Sequence, residues 1–233
     1  MRKCPKIFLT KVDKIEGWLS HEVCHLLYHL GSDPCLPLAD IIEIGAWKGK
    51  STKLLCSTLR DGEYLYSIDP HTGSHEHHHM FGEVSTFEDF TNNLSEELQS
   101  GKIIPLKNTS QKAISELSDN SIKLLWIDGS HDYEDVYFDL LNYSQLVIDG
   151  GWIAMHDYKW SGVKKVVWEE VLLSKKFSFV RRVEDTHYFR KREKTNVLAQ
   201  CFNFFVLQKY KISQDVKRLR RRWRKIHNQR TSN

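Results

Sequence analysis

No run in this 233-residue sequence approaches the eighteen or so consecutive apolar residues of a membrane-spanning helix, and the N-terminus lacks the apolar core of a secretory leader. A C-x-x-C pair is also missing. The five cysteines (Cys4, Cys24, Cys35, Cys56 and Cys201) are scattered and odd in number, which reads as free thiols in a reducing compartment. The expected location is therefore cytoplasmic. Two nucleotide signatures are absent as well. Gly45 and Gly49 stand without the third glycine of a G-x-G-x-x-G dinucleotide fingerprint. The run Gly45-Ala-Trp-Lys-Gly49-Lys50-Ser51 has three residues between its glycines where a phosphate-binding P-loop has four.

What is present is the stretch from Asp40 to Leu59. Ile41, Ile42 and Ile44 form a short β-branched run suited to a strand buried on both faces, and Glu43 stands near its end. Gly45 and Gly49 follow, where the chain turns sharply, and Ser51 to Leu59 reads as a helix with Leu54, Leu55, Thr58 and Leu59 on one face. Strand, glycine bend and helix start make a nucleotide-type pocket to which Ser51 belongs. A carboxylate at Glu43 favours a cationic ligand and repels a triphosphate. This arrangement resembles motif I of class I S-adenosylmethionine-dependent methyltransferases.

The segment Lys11 to Leu30 reads as one or two helices that pack, cover a pocket or pair with a second subunit, as in a homodimer, whereas Met1 to Thr10 gives no signal. Tyr64 to Asp69 is a second buried strand ending in an acid, twenty residues after Gly49, where a carboxylate takes the two hydroxyls of a ribose. His71, His75, His77, His78 and His79 crowd the next loop. No i,i+4 pair on a helix supports a metal there, so a loop over the substrate mouth is the favoured reading. Thr86 to Leu98 reads as a helix and Lys102 to Leu106 as a third strand. Beyond that strand Asn108, Thr109 and Ser110 are candidate adenine contacts, with Ser110 equally explained as the N-cap of a helix reaching Leu117.

A fourth apolar strand from Ile122 ends at Asp128, and a Gly-Ser turn exposes His131 before a helix that runs to about Val147. Asp149-Gly-Gly151 turns into a fifth strand, Trp152 to Tyr158, whose polar residues His156 and Asp157 stand at its carboxyl end. Ligands of open α/β sheets bind beyond such ends. Lys164 to Leu173 continues as a helix. Phe177 to Val183 and Ala199 to Leu207 then read as two strands, with an extra piece at His187 to Arg190. The fold class expected is α/β: a doubly wound, mostly parallel seven-stranded sheet with helices on both faces and an antiparallel C-terminal hairpin. One domain spans 1–208, followed by a basic tail, 209–233.

Within that frame the runs Ser-Ile-Asp-Pro (67–70), Trp-Ile-Asp-Gly-Ser-His-Asp-Tyr-Glu (126–134) and Gly-Gly-Trp-Ile-Ala-Met-His-Asp-Tyr (150–158), with Gly162-Val163, resemble the class I methyltransferases grouped with macrocin-type sugar O-methyltransferases. The resemblance implies S-adenosyl-L-methionine at Glu43, Gly45, Gly49 and Asp69, and methyl transfer to a hydroxyl of a small molecule or glycan. It also implies a divalent cation, usually Mg²⁺, held by Asp128 and a pair at the end of the fifth strand, here His156 and Asp157. Histidine in place of a hard oxygen donor weakens Mg²⁺ relative to Mn²⁺ or Zn²⁺. The metal-free alternative uses His131 or His156 as the base that takes the hydroxyl proton, with Asp128 or Asp157 orienting the imidazole.

The net charge of +4 divides unevenly: 209–233 carries ten Lys/Arg and one acid, and the remainder is net acidic. In that tail Val216, Leu219, Trp223 and Ile226 recur at helical spacing among arginines, as in a basic amphipathic helix on an anionic membrane surface. Nucleic acid is the less favoured partner, and a peripheral association with membranes would follow from the lipid reading. Two rival functions are a P-loop-like NTP-binding protein, which fails on loop length and on Glu43, and a non-catalytic cofactor-binding module tethered by the tail.

Overall fold

The computed structural model describes residues 1–73, 83–117, 121–192, 201–206 and 208–209. His75, His77, His78 and His79, and the tail beyond 209, lie outside the described residues. Among the described residues no helix is long and apolar enough to cross a membrane.

Two helices, α1 (Lys6–Val12) and α2 (His21–Gly31), precede β1 (Asp40–Ile44) and α3 (Lys50–Cys56). β2 (Leu65–Ile68), α4 (Phe87–Asn93), α5 (Ser95–Gln99), β3 (Ile103–Leu106) and the single turn α6 (Ser110–Ala113) follow. β4 (Ile122–Ile127), α7 (Tyr133–Tyr143), β5 (Val147–Met155) and α8 (Ser161–Val166) complete the parallel half. α8 widens into a π-helical stretch at Val167–Leu172 before the hairpin of β6 (Phe177–Val183) and β7 (Thr186–Lys191).

All seven strands form one sheet in the order β3-β2-β1-β4-β5-β7-β6. The first five are parallel, and β7 runs antiparallel to both β5 and β6. The alternation of a strand sends neighbouring side chains to opposite faces, and here each face has its own apolar layer. Ile42, Ile44, Leu125, Ile127, Ile153 and Met155 face Val136, Leu140 and Val163. Ile41, Leu124, Trp126, Trp152 and Ala154 face Leu26, Leu27, Leu30, Leu54 and Leu55. Burial on both sides explains why the central strands read as continuous apolar runs.

Several boundaries differ from the sequence reading. Met1 to Thr10 includes most of α1. Ser110 is the first residue of α6 instead of its cap, which falls on Thr109. α7 ends at Tyr143, and Val147 already belongs to β5. The Gly150 bulge (φ +77°) is carried within that strand opposite a register shift between Ile122 and Leu124. The largest correction concerns the hairpin. Its second strand is Thr186–Lys191, the stretch read as an extra piece, whereas residues 201–206 are helical. The apolar run around Phe202 to Val206 has no strand alternation, and such a run fits either element on periodicity alone.

Candidate active site

The parallel strands end on one rim, in the spatial order β3, β2, β1, β4, β5. Asn108 and Thr109 follow β3, Asp69 follows β2, the glycine bend follows β1, Asp128 follows β4, and His156 with Asp157 follow β5. The bend is held from two sides. Asp69 Oδ2 accepts the backbone N–H groups of Ala46 and Trp47 at 2.8 and 2.7 Å, while its Oδ1 accepts that of His71 at 2.6 Å. On the other side Gly45 passes so close to β4 that a Cβ would lie 2.2 Å from the Asp128 carbonyl oxygen, and its φ of +91° is itself a glycine conformation. His71 is buried against Phe87 and Phe90, with Nδ1 2.9 Å from Thr86 Oγ1, and burial lowers its pKa. It props the loop after β2 and contributes nothing to a histidine cluster among the described residues.

Glu43 lies beneath the bend. It is fully buried, its Oε2 accepts from Thr52 at 2.6 Å and Ser67 at 3.0 Å, and Ser51 turns inward to the same carboxylate. Burial, opposed by these hydrogen bonds, pushes its pKa up to about 7. Glu43 and Ser51 therefore brace the bend from below. Gly49, with φ +91°, packs its backbone against Leu94.

Beyond the bend opens a cavity of about 530 Å³, a size common for small-molecule sites. Gly45, Asp128, His131, His156 and Asp157 line its inner side, and Trp18, Trp47 and Trp160 its outer side. His131 is fixed by two contacts: its Nε2 is 3.0 Å from Asp157 Oδ2, and its ring stacks on Trp160 at 4.6 Å and 6°. The close fit between the chain at Gly162 and the His131 carbonyl, 2.2 Å from where a Cβ would stand, keeps the start of α8 against the loop that carries His131. Asp157 itself is held at φ +56°, an uncommon conformation for a residue with a side chain.

His156 is buried, with Nδ1 2.9 Å from Asp128 Oδ1 and 3.5 Å from Asp157 Oδ2. Burial opposes charge on this ring, but Asp128 and Asp157 outweigh it and push its pKa up to about 11. Burial likewise raises the pKa of Asp128 against the pull of His156, whereas contacts from His131 and His156 overcome burial at Asp157 and lower its pKa. Sequence reasoning missed Asp185. The β6–β7 turn brings it over the end of β5, where its backbone carbonyl accepts from Tyr158 N–H at 2.9 Å and its Oδ1 lies 3.4 Å from His156 Nε2. Its only signal was the hairpin, which was assigned to the wrong second strand.

Asp128, His156 and Asp157 each offer one donor atom, all within 4.8 Å of one another. Their fit to a metal ion is tested by spacing and donor type: His156 Nδ1, itself buried, stands 2.9 Å from Asp128 Oδ1 and 3.5 Å from Asp157 Oδ2. Two ligands at right angles on an ion with bonds of roughly 2.1 Å lie about 3 Å apart. That spacing is open to an ion in place of the proton His156 shares with Asp128, so this donor set fits a divalent cation.

The same fold occurs in solved methyltransferases. The O-methyltransferase NovP superposes with a TM-score of 0.56 at 18% identity, over 75% of this chain and 81% of its own. TomG of Streptomyces achromogenes, an O-methyltransferase of tomaymycin synthesis solved with S-adenosylmethionine, gives 0.56 at 14% identity over 82% and 92%. CalS11, a TDP-rhamnose 3′-O-methyltransferase of calicheamicin biosynthesis, gives 0.53 at 14% over 78% and 79%. No curated protein matches the chain significantly. Fold and rim together define a class I, Rossmann-like methyltransferase architecture. The methyltransferase-domain family profile matches residues 42–158, half of the chain, and the protein belongs to that family, whose cofactor is S-adenosylmethionine. The bend is compatible with this cofactor: Gly45 lines the cavity, and its lack of a Cβ lets the ends of β1 and β4 meet in close contact at the cavity's edge.

Proposed function

We propose that this protein transfers the methyl group of S-adenosylmethionine to a hydroxyl oxygen of a sugar, glycoconjugate or other small molecule. The observation that carries the reading is the meeting of Asp128, His131, His156 and Asp157 in one cavity directly beside the Gly45 bend. In this reading adenine lies near Asn108 and Thr109, ribose near Asp69, and the sulfonium end at Gly45, opening toward Asp128; the order of the strand ends along the rim supports it. The bound cofactor supplies an already activated methyl group. The protein's task is then alignment and deprotonation of the acceptor. His131 Nε2, 3.0 Å from Asp157 Oδ2, and its ring, flat against Trp160, form with that carboxylate a fixed pair at the cavity wall through which the hydroxyl proton can leave. Asp128, His156 and Asp157 would hold a divalent cation that orients the acceptor oxygen and lowers its pKa. Trp18 and Trp47, 5.6 Å apart at the cavity wall, offer apolar faces to an acceptor ring.

The test is methyl transfer from labelled S-adenosylmethionine to a panel of sugars, sugar conjugates, phenols and amines. Asp128→Ala is expected to lower turnover by about 10²-fold or more while S-adenosylhomocysteine still binds. Methylation confined to nitrogen acceptors, or full activity in Asp128→Ala, would overturn the reading.

A further inference from the structure

We propose that the centre at Asp128, His156 and Asp157 selects a transition-series divalent cation of the Mn²⁺ type over Mg²⁺, and that Asp185 is the positioning residue that makes His156 its ligand. The inference deepens the reading of this cavity as a methyl-transfer site.

Four observations carry it. His156 is 7% exposed, and its Nδ1 stands 2.9 Å from one oxygen of Asp128 and 3.5 Å from one of Asp157, positions from which all three residues can ligate one ion. The opposite ring nitrogen, Nε2, lies 3.4 Å from Asp185 Oδ1. A histidine that ligates a metal through one nitrogen commonly gives the N–H of the other to a carboxylate, which fixes tautomer and ring direction and strengthens the donor. Asp185 occupies that outer position, and the hairpin turn that carries it is tied to the β5 end by the Tyr158 N–H bond to its carbonyl. Finally, Lys159 Nζ contacts the outer oxygens of Asp157 and Asp185 at 3.3 and 3.6 Å, so both carboxylates are anchored from the solvent side and Asp157 Oδ2 faces His156.

The selectivity follows from donor chemistry. Mg²⁺ prefers oxygen ligands and retains water, whereas imidazole suits the later divalent ions. One imidazole with two carboxylates moves the preference toward the transition series, of which Mn²⁺, the weakest binder and the nearest to Mg²⁺ in its liking for oxygen, is the most demanding probe.

The experiment uses the full chain without cofactor or acceptor. Mn²⁺ is titrated and free Mn²⁺ read by electron paramagnetic resonance, then Mg²⁺ is added as competitor. One Mn²⁺ per chain is expected, with Mg²⁺ displacing it only at concentrations at least about tenfold higher. Asp185→Asn should weaken Mn²⁺ binding roughly 10–100-fold with the circular dichroism unchanged. His156→Asp should bring the two ions closer in affinity. Absence of Mn²⁺ binding, equal competition by Mg²⁺, or an Asp185→Asn affinity equal to that of the unaltered protein would each overturn the proposal. If His156→Asp does not fold, the Asp185→Asn titration and the Mg²⁺ competition still decide. Methyl transfer without Mn²⁺ binding would sink this inference and leave the function standing, and Mn²⁺ binding with no turnover on any acceptor would do the reverse.

Discussion

Glu43 is a carboxyl group enclosed beneath the glycine bend, with Oε2 bonded to Thr52 and Ser67 and Oε1 without a hydrogen-bond partner among the described residues. Its folded pKa of about 7 stands above the 4.5 of a free glutamate, so the folded state binds this proton more tightly than the unfolded chain does. Stability from this group is complete below pH 4.5 and declines as pH rises to about 7, by about 3 kcal/mol in all. Glu43→Gln removes the titration. Urea unfolding at pH 5 and pH 8 should show the variant gaining on the unaltered protein by roughly 2–3 kcal/mol between the two, and an equal difference at both pH values would contradict the buried, half-neutral state. The sequence showed an acid near a strand end, but not that its side chain turns toward Thr52 and Ser67 under the loop. Asp128, His156 and Asp157 were legible because the chain ends its apolar strands on them, and His131 because a Gly-Ser turn follows one of those ends. Asp185 was not, because a turn residue gains meaning only through the strand it turns into.

At the scale of elements, the strand–bend–helix unit was read correctly because its period, its β-branched strand and its two glycines all agree. The hairpin failed where local signals conflict: Thr186–Lys191 carries three cationic or imidazole side chains in six residues, whereas the more apolar stretch nearby is helical over 201–206. What makes Thr186–Lys191 a strand is its pairing, Met155 with His187 and Val183 with Thr186, which no local pattern reveals. The bend itself yields a sharper expectation. Gly45→Ala places a side chain 2.2 Å from the Asp128 carbonyl oxygen at φ +91°. The left-handed backbone alone costs about 1–2 kcal/mol in a residue with a Cβ, and the clash pushes β1 and β4 apart at the rim. Calorimetric titration with S-adenosylhomocysteine should therefore show affinity lowered by about tenfold or more, alongside a lower melting temperature. Undiminished affinity would mean that the cofactor does not depend on this bend.

Across the whole molecule the sheet separates two kinds of polar chemistry. The carboxyl ends of the strands hold the polar groups that line the cavity, whereas the amino ends enclose an ion network. Lys123 at the start of β4 pairs with Glu63, both 1% exposed, and Arg60 Nε donates to the same carboxylate at 2.8 Å. Burial lowers the Lys123 pKa while Glu63 supports its charge, and Glu63 is itself drawn below its usual value by Arg60 and Lys123 against the effect of burial. Nothing in this network touches the rim, so it should govern stability and leave ligand binding alone. Lys123→Met leaves a buried carboxylate with only Arg60 to balance it, which should cost about 3–5 kcal/mol of unfolding free energy. Adding Glu63→Gln to Lys123→Met should recover part of that loss, since the pair is then removed together instead of broken. S-adenosylhomocysteine affinity, measured where both variants are folded, should match the unaltered protein. A drop in affinity with the rim residues intact would mean that strain introduced at one end of the central strands reaches the other, and the separation of stability from chemistry along this sheet would not hold.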